Sequence, residues 1–458
     1  MCLGSDKGYY RGLRTGFRIL LSNTYFMKVN LMSNILNISD KYFFLNILLS
    51  KILVTFLLIV PIFENFFSSY PLFAWISFLD DIVLASSLLL FILAVLPVKQ
   101  LYNLKESAFF SLYFICVCLS GIINEIDLDV FLMQARTYIL PFGIVILLKS
   151  LKINRLELAT LVCNLLFYCL WIIMFGIVWE MVTDKSLIYE VNRYGESFNI
   201  SSHGRYYSFI GNPVDLGNWA VMCFCIFYSA MKVGFYSKKR VYIALSICLF
   251  LLIMSGSRGP LIGLCIVFFV IESLSRGSSF KSLFKLGMLL SALLLLSPVI
   301  VSRFMSMSVD YFIDDQYRFL ALLKSLTIIA DNPLFGVGPG AFGGWVSVNY
   351  SYSSVYEMYD MSTKGISSID MFWPHFVAEI GLFGTLMFFL YWLCVYKKAK
   401  NNFRISTNAL DQFFSAALCM IIIASSFLAF VNISLETQLM SNFVMVVAGL
   451  NLSKASKV

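Results

Sequence analysis

Charged residues are scarce in this sequence. They make up 13% of its 458 residues, whereas apolar residues make up 59%. Soluble domains carry about a quarter charged residues and about half apolar ones. The shortage of charge therefore excludes an ordinary soluble domain. The apolar residues lie in long blocks, such as LLFYCLWIIMFGIVW and FFSAALCMIIIASSFLAFV, that approach the roughly 20 residues a helix needs to cross a bilayer.

Histidine is the scarcest polar residue, with two copies, His203 and His375. Neither histidine neighbours a cysteine in the sequence. Of the 11 cysteines, all but Cys2 lie in apolar blocks, where this residue behaves as a small buried hydrophobe. The sequence therefore predicts no metal site and no other cofactor.

The apolar blocks predict an all-α, polytopic membrane protein with about 12 transmembrane helices. The candidate spans cover residues 52–70, 72–96, 108–123, 131–148, 157–182, 214–234, 241–255, 260–273, 286–302, 374–396, 410–432 and 438–452.

Basic residues predict the orientation, because Lys and Arg accumulate in short cytoplasmic loops. The short connections near Tyr70 and at 124–130 and 433–437 contain neither residue, and the connections that alternate with them are basic. Both termini are therefore expected in the cytoplasm. The net charge of +8 follows from this topology and from the anionic inner leaflet, so it does not indicate a nucleic-acid partner. The basic connections contain Lys99 and Lys105, then Lys149, Lys152 and Arg155, then Lys238, Lys239 and Arg240, then Arg276, Lys281 and Lys285, and finally Lys397, Lys398, Lys400 and Arg404.

Two connections on the predicted outer side are too long to be simple turns, at residues 183–213 and 303–373. Long loops of this kind usually carry function. The expected organisation is a basic cytoplasmic segment, nine spans, the large extracytoplasmic loop, three spans and a cytoplasmic tail. These segments cover residues 1–51, 52–302, 303–373, 374–452 and 453–458.

Arginine is costly in or near a membrane and usually has a partner or a function there. Arg318 lies in YRFLALLKSLTIIADNP, where apolar residues recur at helical spacing and the sequence DNP at 331–333 marks the helix end. This pattern predicts an amphipathic helix on the outer membrane surface. Arg318 either serves the site or simply snorkels or pairs with Asp314 or Asp315.

Four more arginines on the predicted outer side are candidates for the site: Arg136, Arg205, Arg258 and Arg303. Arg258 lies in the break SGSRGP. A turn explains the glycines and the proline there but does not explain the arginine. The alternative is a preformed anion site, in which the guanidinium faces a phosphate. Arg205 stands beside two tyrosines, which fits an interfacial aromatic belt. Arg136 lies inside its span and is expected to face the bundle interior.

His375 begins a predicted span in the sequence WPHFVAEIGLFG, and Glu379 follows four residues later on the same helical face. A carboxylate at this spacing is able to fix the tautomer of an imidazole. The pair is therefore a candidate general base. The alternative is a structural histidine at the end of a helix.

The segment GPGAFG at 338–343 has the G-x-G-x-x-G spacing of a dinucleotide-binding turn. Such a turn follows a strand and opens a helix, whereas this segment follows an amphipathic helix and contains Pro339. We therefore interpret the match as accidental and the segment as a hinge that sets Arg318 opposite His375. The hinge residues are Asn332, Pro333, Gly336, Gly338 and Gly340.

Taken together, these motifs resemble the O-antigen ligase and polymerase superfamily. The resemblance rests on the S-R-G break at 257–259, R-x-x-x-L at 318–322, DNPLFGVGPGAF at 331–342, the large outer loop, and the histidine, glutamate and glycine within 375–381. It covers roughly residues 205–390.

The resemblance implies a GT-C-like membrane glycosyltransferase with its site on the outer side of the bacterial inner membrane. Arg318, Arg258 and Arg205 match arginines that bind pyrophosphate in that family, and Arg136 is expected to join them. His375 matches the histidine that deprotonates the acceptor hydroxyl, with Glu379 beside it. The sequence departs from the family pattern at 376, where a phenylalanine replaces the usual polar residue.

The implied donor is an undecaprenyl-pyrophosphate-linked oligosaccharide. The implied acceptor is a growing polysaccharide or lipid A-core, and a chain-length regulator is a further partner. Guanidinium groups stabilise the pyrophosphate leaving group without a metal. Attack opposite the leaving group inverts the anomeric centre.

Three functions remain open at this stage. The leading one is a polymerase that joins lipid-linked repeat units. A ligase that moves finished polymer onto lipid A-core or another acceptor needs the same residues. A transporter or flippase also fits 12 spans and a broken helix near SGSRGP.

Overall fold

The computed structural model describes residues 43–68, 105–150, 154–187, 205–274, 309–349, 353–359, 369 and 371–453. Within these ranges the regular elements are helical and no strand occurs, which confirms the all-α prediction. By length and composition, five of the described helices are able to cross a membrane, or six if a bent pair counts as one span. The candidate spans at 72–96 and 286–302, Arg303 and His203 lie outside the described residues. The count of 12 spans therefore stays a prediction.

The described helices are numbered here in chain order. They are α1 (Phe43–Ser68), α2 (Lys105–Ile123), α3 (Leu128–Tyr138), α4 (Leu140–Ser150), α5 (Arg155–Thr183), α6 (Pro213–Val233), α7 (Lys238–Ser255), α8 (Arg258–Leu274), α9 (Val309–Asp331), α10 (Gly344–Asn349), α11 (Ser353–Met358), α12 (Phe372–Ile405), α13 (Ala409–Val431) and α14 (Gln438–Leu452), with a short 3₁₀ turn at Ser208–Ile210.

Helices α12 and α13 form the centre of the bundle. Helix α12 packs against α2, α9 and α13, and α13 also packs against α6, α8 and α14. The apolar side chains between them are fully buried, Trp219, Phe413 and Phe443 among the largest. Small residues allow close helix contacts, as in many membrane bundles. A Cβ atom on Gly449, for example, would lie 2.9 Å from the Leu148 side chain.

The predicted span at 131–148 is broken into α3 and α4, which meet at an angle of 43°. Pro141 follows the break and has no N–H group to donate to the preceding turn. The break leaves α3 free to tilt away from the axis of α4. The polar residues Gln134 and Arg136 lie on α3, whereas Lys149 lies in the last turn of α4.

Helix α9 ends at Asp331, which confirms the stop predicted from the sequence DNP. It packs against α12. Its apolar residues Leu322, Leu323 and Leu326 are exposed in the structure, whereas Ala321 and Ile328 are buried. This distribution matches a helix with one face on the protein and another available to a membrane surface.

Candidate active site

The segment 332–344, called the glycine loop below, connects α9 to α10. Its glycines adopt the left-handed backbone region, with φ of 66° at Gly336, 103° at Gly338 and 81° at Gly340. Residues with a Cβ rarely adopt these angles. The loop also turns back on itself, because the Gly336 amide donates to the Asn332 carbonyl at 3.0 Å. The prediction of a sharp turn at these residues is confirmed.

The glycine loop docks into a kink in α12. The kink lies at Gly381, whose φ of 72° and ψ of 176° interrupt the helix. The Val337 and Gly338 amides donate to the carbonyls of residues 378 and 379, at 2.9 and 3.0 Å. The Leu382 amide donates to the Pro333 carbonyl at 2.8 Å. The loop thus satisfies backbone groups that the kink leaves without helical partners.

Glu379 is fully buried between the kinked helix and the glycine loop. Its carboxylate accepts a hydrogen bond from the Tyr138 hydroxyl at 2.6 Å and another from the Phe342 amide at 3.1 Å. No hydrogen bond joins it to His375. The expectation that Glu379 fixes the imidazole is therefore corrected. Helical spacing brings the two residues to one face of α12. The carboxylate of Glu379, however, accepts its hydrogen bonds from the Phe342 amide and the Tyr138 hydroxyl.

The carboxylate beside His375 belongs to Glu436 instead. The Nε2 atom of His375 lies 3.1 Å from Oε1 of Glu436, and both side chains are almost completely buried. The Gln134 amide donates to the same Oε1 at 2.8 Å. Neither imidazole nitrogen makes a hydrogen bond with the described residues. His375 and Glu436 are therefore within ion-pair distance, but their geometry is not that of a hydrogen bond. The imidazole is held close to a carboxylate, and both of its nitrogens are buried.

The last glycines of the loop cover this pair. A Cβ atom on Gly343, which has φ of 81°, would lie 2.5 Å from the His375 Cβ and 2.9 Å from its Nδ1. A Cβ atom on Gly344 would lie 2.8 Å from a carboxylate oxygen of Glu436. The Gly343 amide donates to the Tyr356 hydroxyl at 2.8 Å. Glycine is required here because the backbone passes directly over the imidazole.

A cavity of about 480 Å³ opens on the other side of Glu436. It lies between the ends of α1 and α3 and the starts of α6 and α14. Its volume falls within the usual range of about 300 to 1,000 Å³ for small-molecule sites. We call it the acidic cavity, because its described charged lining consists of Glu64, Asp215, Glu436 and Arg136.

The predicted arginines occupy different positions. Arg136 lines the acidic cavity. Arg205 and Arg258 are half-buried and are not among the described residues that line it. Their segments meet, because the Tyr206 amide donates to the Met254 carbonyl at 3.3 Å. Arg318 lies in α9, and its side chain lies outside the described part of the structure.

Three residues of the site were missed in the sequence: Glu436, Gln134 and Tyr138. Glu436 carries a signal in retrospect, because it is the charged residue of the connection ISLET at 433–437. Gln134 and Tyr138 flank Arg136 on α3 and carry no comparable signal. Their importance follows from contacts with residues more than 200 positions away.

The described residues thus define a helical membrane protein with a buried histidine beside a polar cavity. Residues 243–389 match a family model described as Wzy_C, O-antigen ligase. The match covers about a third of the chain, and includes Arg258, Arg318, the glycine loop and His375. It supports the O-antigen ligase and polymerase superfamily that the sequence resembles. No curated protein gives a significant match.

Proposed function

We propose that this protein is a membrane glycosyltransferase that polymerises undecaprenyl-pyrophosphate-linked oligosaccharide repeat units. The product is O-antigen or another surface polysaccharide, made on the outer side of the bacterial inner membrane. A GT-C-like architecture with about 12 spans is part of this proposal. The observation that carries it is the placement of His375 against Glu436 at the wall of a polar cavity, next to a segment that matches the family model.

In this mechanism His375 is the general base. Its imidazole takes the proton of the acceptor hydroxyl as the oxygen attacks the anomeric carbon of the donor. Glu436 stabilises the imidazolium that forms, because an opposite charge lies 3.1 Å from Nε2. General base catalysis of this kind contributes about a hundredfold to ten-thousandfold in rate.

The bond that breaks joins the donor sugar to pyrophosphate, which leaves with the lipid. Preorganised guanidinium groups stabilise the charge that develops on this leaving group. Arg258, Arg205 and Arg318 are our candidates for that role. Attack from the opposite side inverts the anomeric centre, and no step in this scheme requires a metal.

The acidic cavity suits a saccharide better than a pyrophosphate. Three of its four described charged residues are carboxylates, which repel a second anion. Carboxylate and amide groups accept and donate hydrogen bonds to sugar hydroxyls. We therefore assign Arg136 to saccharide binding together with Gln134, in place of the pyrophosphate role expected from the sequence.

The decisive experiment uses purified protein and a lipid-linked repeat unit. Wild type is expected to form a new glycosidic bond and release undecaprenyl pyrophosphate, detected by mass spectrometry. The His375→Ala variant is expected to bind the donor and to form product about a hundredfold to ten-thousandfold more slowly. Failure of wild type to form a bond while intact donor is bound would refute the enzyme proposal and favour a transporter.

A ligase is the second candidate, favoured by the printed description of the matching family. A ligase would transfer finished polymer to lipid A-core. We propose a chain-length regulator as a further partner of the polymerase. Chain-length analysis of a deletion strain separates the two. Loss of long chains with a single capped repeat surviving supports a polymerase, whereas accumulation of long lipid-linked chains supports a ligase.

A further inference from the structure

A second cavity, of about 660 Å³, lies at the opposite end of the helix bundle. Its walls are the end of α4, the start of α5, and the ends of α12 and α14. We call it the basic cavity, because its described charged lining consists of Lys149, Arg155, Lys398 and Asp411. Nothing in the proposed glycosyl transfer uses these residues.

Two buried donors in the lining of the basic cavity lack an acceptor. The Arg155 side chain is 7% exposed and that of Asn451 is 6% exposed. The Nε group of Arg155 and the Nδ2 group of Asn451 make no hydrogen bond with the described residues. Buried donors in native proteins are almost always paired, and an unpaired one commonly marks an ion or water position. Both donors line the same cavity, so one acceptor-rich ligand would serve them together.

The remaining contacts hold Arg155 in place. Its Nη1 lies 2.5 Å from Oδ1 of Asp411, and its guanidinium stacks on Phe414 with 5.4 Å to the ring centroid. The Asn451 Oδ1 accepts from the Ser415 hydroxyl at 2.9 Å, which fixes that amide. The donors are therefore held by the protein itself before any ligand arrives.

The electrostatics of this end favour an anion. Three of the four described charged lining residues are cations, of which Arg155 pairs with Asp411 and Lys398 lies 3.6 Å from Glu106. Arg155 is also the first residue of α5, whose N-terminal end carries a partial positive charge. A phosphate matches this arrangement better than a carboxylate, because its several oxygens accept hydrogen bonds from a guanidinium, an amide and lysines at once.

We propose that the basic cavity binds a phosphate group, from the headgroup of an anionic lipid or from free phosphate. The charge pattern of the sequence predicts this end to be cytoplasmic, where the leaflet is rich in anionic lipid. Basic pockets between transmembrane helices are known to hold such headgroups. This proposal is independent of the glycosyl transfer, since it concerns the opposite end of the bundle.

The test compares two variants that each lose two positive charges. Lys149→Gln/Lys398→Gln removes charge from the basic cavity. Lys238→Gln/Lys239→Gln is the matched control, because these lysines are exposed, lie on the same predicted side and are not among the described lining residues. The purified full-length proteins are placed in nanodiscs of phosphatidylcholine, with or without phosphatidylglycerol. Native mass spectrometry counts the retained lipids, and thermal unfolding is followed during titration with inorganic phosphate.

The cavity variant is expected to bind about tenfold more weakly than wild type, since it loses two charge-assisted contacts. The control is expected to bind as wild type. Retention of phosphatidylglycerol alone identifies a lipid headgroup, and stabilisation by inorganic phosphate identifies the free anion. Either result supports the proposal.

Absence of binding in both arms, or equal losses in both variants, overturns the proposal. If the double variant does not fold, Lys398→Gln alone is measured against Lys239→Gln with the same readouts. Glycosyl transfer is not a readout here, so failure of this proposal leaves the proposed function untouched.

Discussion

The two cavities differ in charge although helix α14 contributes to both. Helix α14 contributes Gln438 to the acidic cavity and Asn451 to the basic one. These positions lie about 20 Å apart along a helix with a rise of 1.5 Å per residue. The described charged lining is three carboxylates and one arginine at one end, and three cations and one carboxylate at the other.

The charges at the two ends have different explanations. Lysine and arginine at the predicted cytoplasmic end follow from membrane topology in any polytopic protein. Their presence alone is therefore weak evidence for a site, and the unpaired donors of Arg155 and Asn451 carry the argument there. Topology gives no comparable reason for carboxylates at the other end. Buried Glu436 is thus the stronger functional signal.

Removal of the imidazole beside the acidic cavity is expected to have the largest effect. His375→Ala should lower the rate of glycosyl transfer by about a hundredfold to ten-thousandfold, because the general base is lost. The measurement is product formation from a lipid-linked repeat unit, with donor binding recorded in parallel. Lys239→Ala, an exposed change outside both described linings, is the control. Near-wild-type product from His375→Ala would remove this residue from the mechanism.

The next largest effect is expected from the glycine loop. In Gly343→Ala the new methyl would lie 2.5 Å from the His375 Cβ at a φ of 81°. Gly234→Ala is a matched control, because Gly234 has φ of 71° but a Cβ added there would meet no atom within 4 Å. The control should lose about 1 to 2 kcal/mol from backbone strain alone.

Gly343→Ala should lose more than the control in the free energy of unfolding, and should also lose turnover. Thermal unfolding in detergent and the transfer assay together measure this difference. Equal losses in the two variants would mean that the loop does not constrain His375.

Much of this fold was predictable from the sequence. Helix ends at DNP and the turns of the glycine loop follow from local backbone chemistry, and both were confirmed. The partner of His375 was not predictable in the same way. Helical spacing favours Glu379, whereas the structure brings Glu436 from a connection some 60 residues later. Long-range packing decides such a contact, and hydrophobic periodicity holds no information about it.

Separate substitution of Glu436 and Glu379 tests which glutamate supports His375. Glu436→Gln keeps the shape and removes the charge, so turnover should fall about tenfold, less than the loss from His375→Ala. Glu436→Asp should recover part of the turnover.

Glu379→Gln is the comparison variant. Its carboxylate holds Tyr138 and the Phe342 amide, so the change should lower thermal stability and leave turnover per folded molecule closer to wild type. If Glu379→Gln lost more turnover than Glu436→Gln, the assignment of Glu379 from helical spacing would be restored.

The smallest predicted effect lies at the basic end, where Asp411 is the carboxylate of the described lining. Asp411→Asn keeps the shape but leaves the guanidinium of Arg155 without its charged partner. Asp411 is one-third exposed, so the loss in unfolding free energy should be about 1 to 2 kcal/mol, well below that of a fully buried pair. Binding of phosphate should strengthen by a few-fold, because a competing negative charge is gone. Titration of the unfolding temperature with phosphate measures both effects. Weaker binding in this variant would mean that Asp411 orients Arg155 for the ligand. Phosphate binding would then depend on the position of the guanidinium more than on the net charge of the cavity lining.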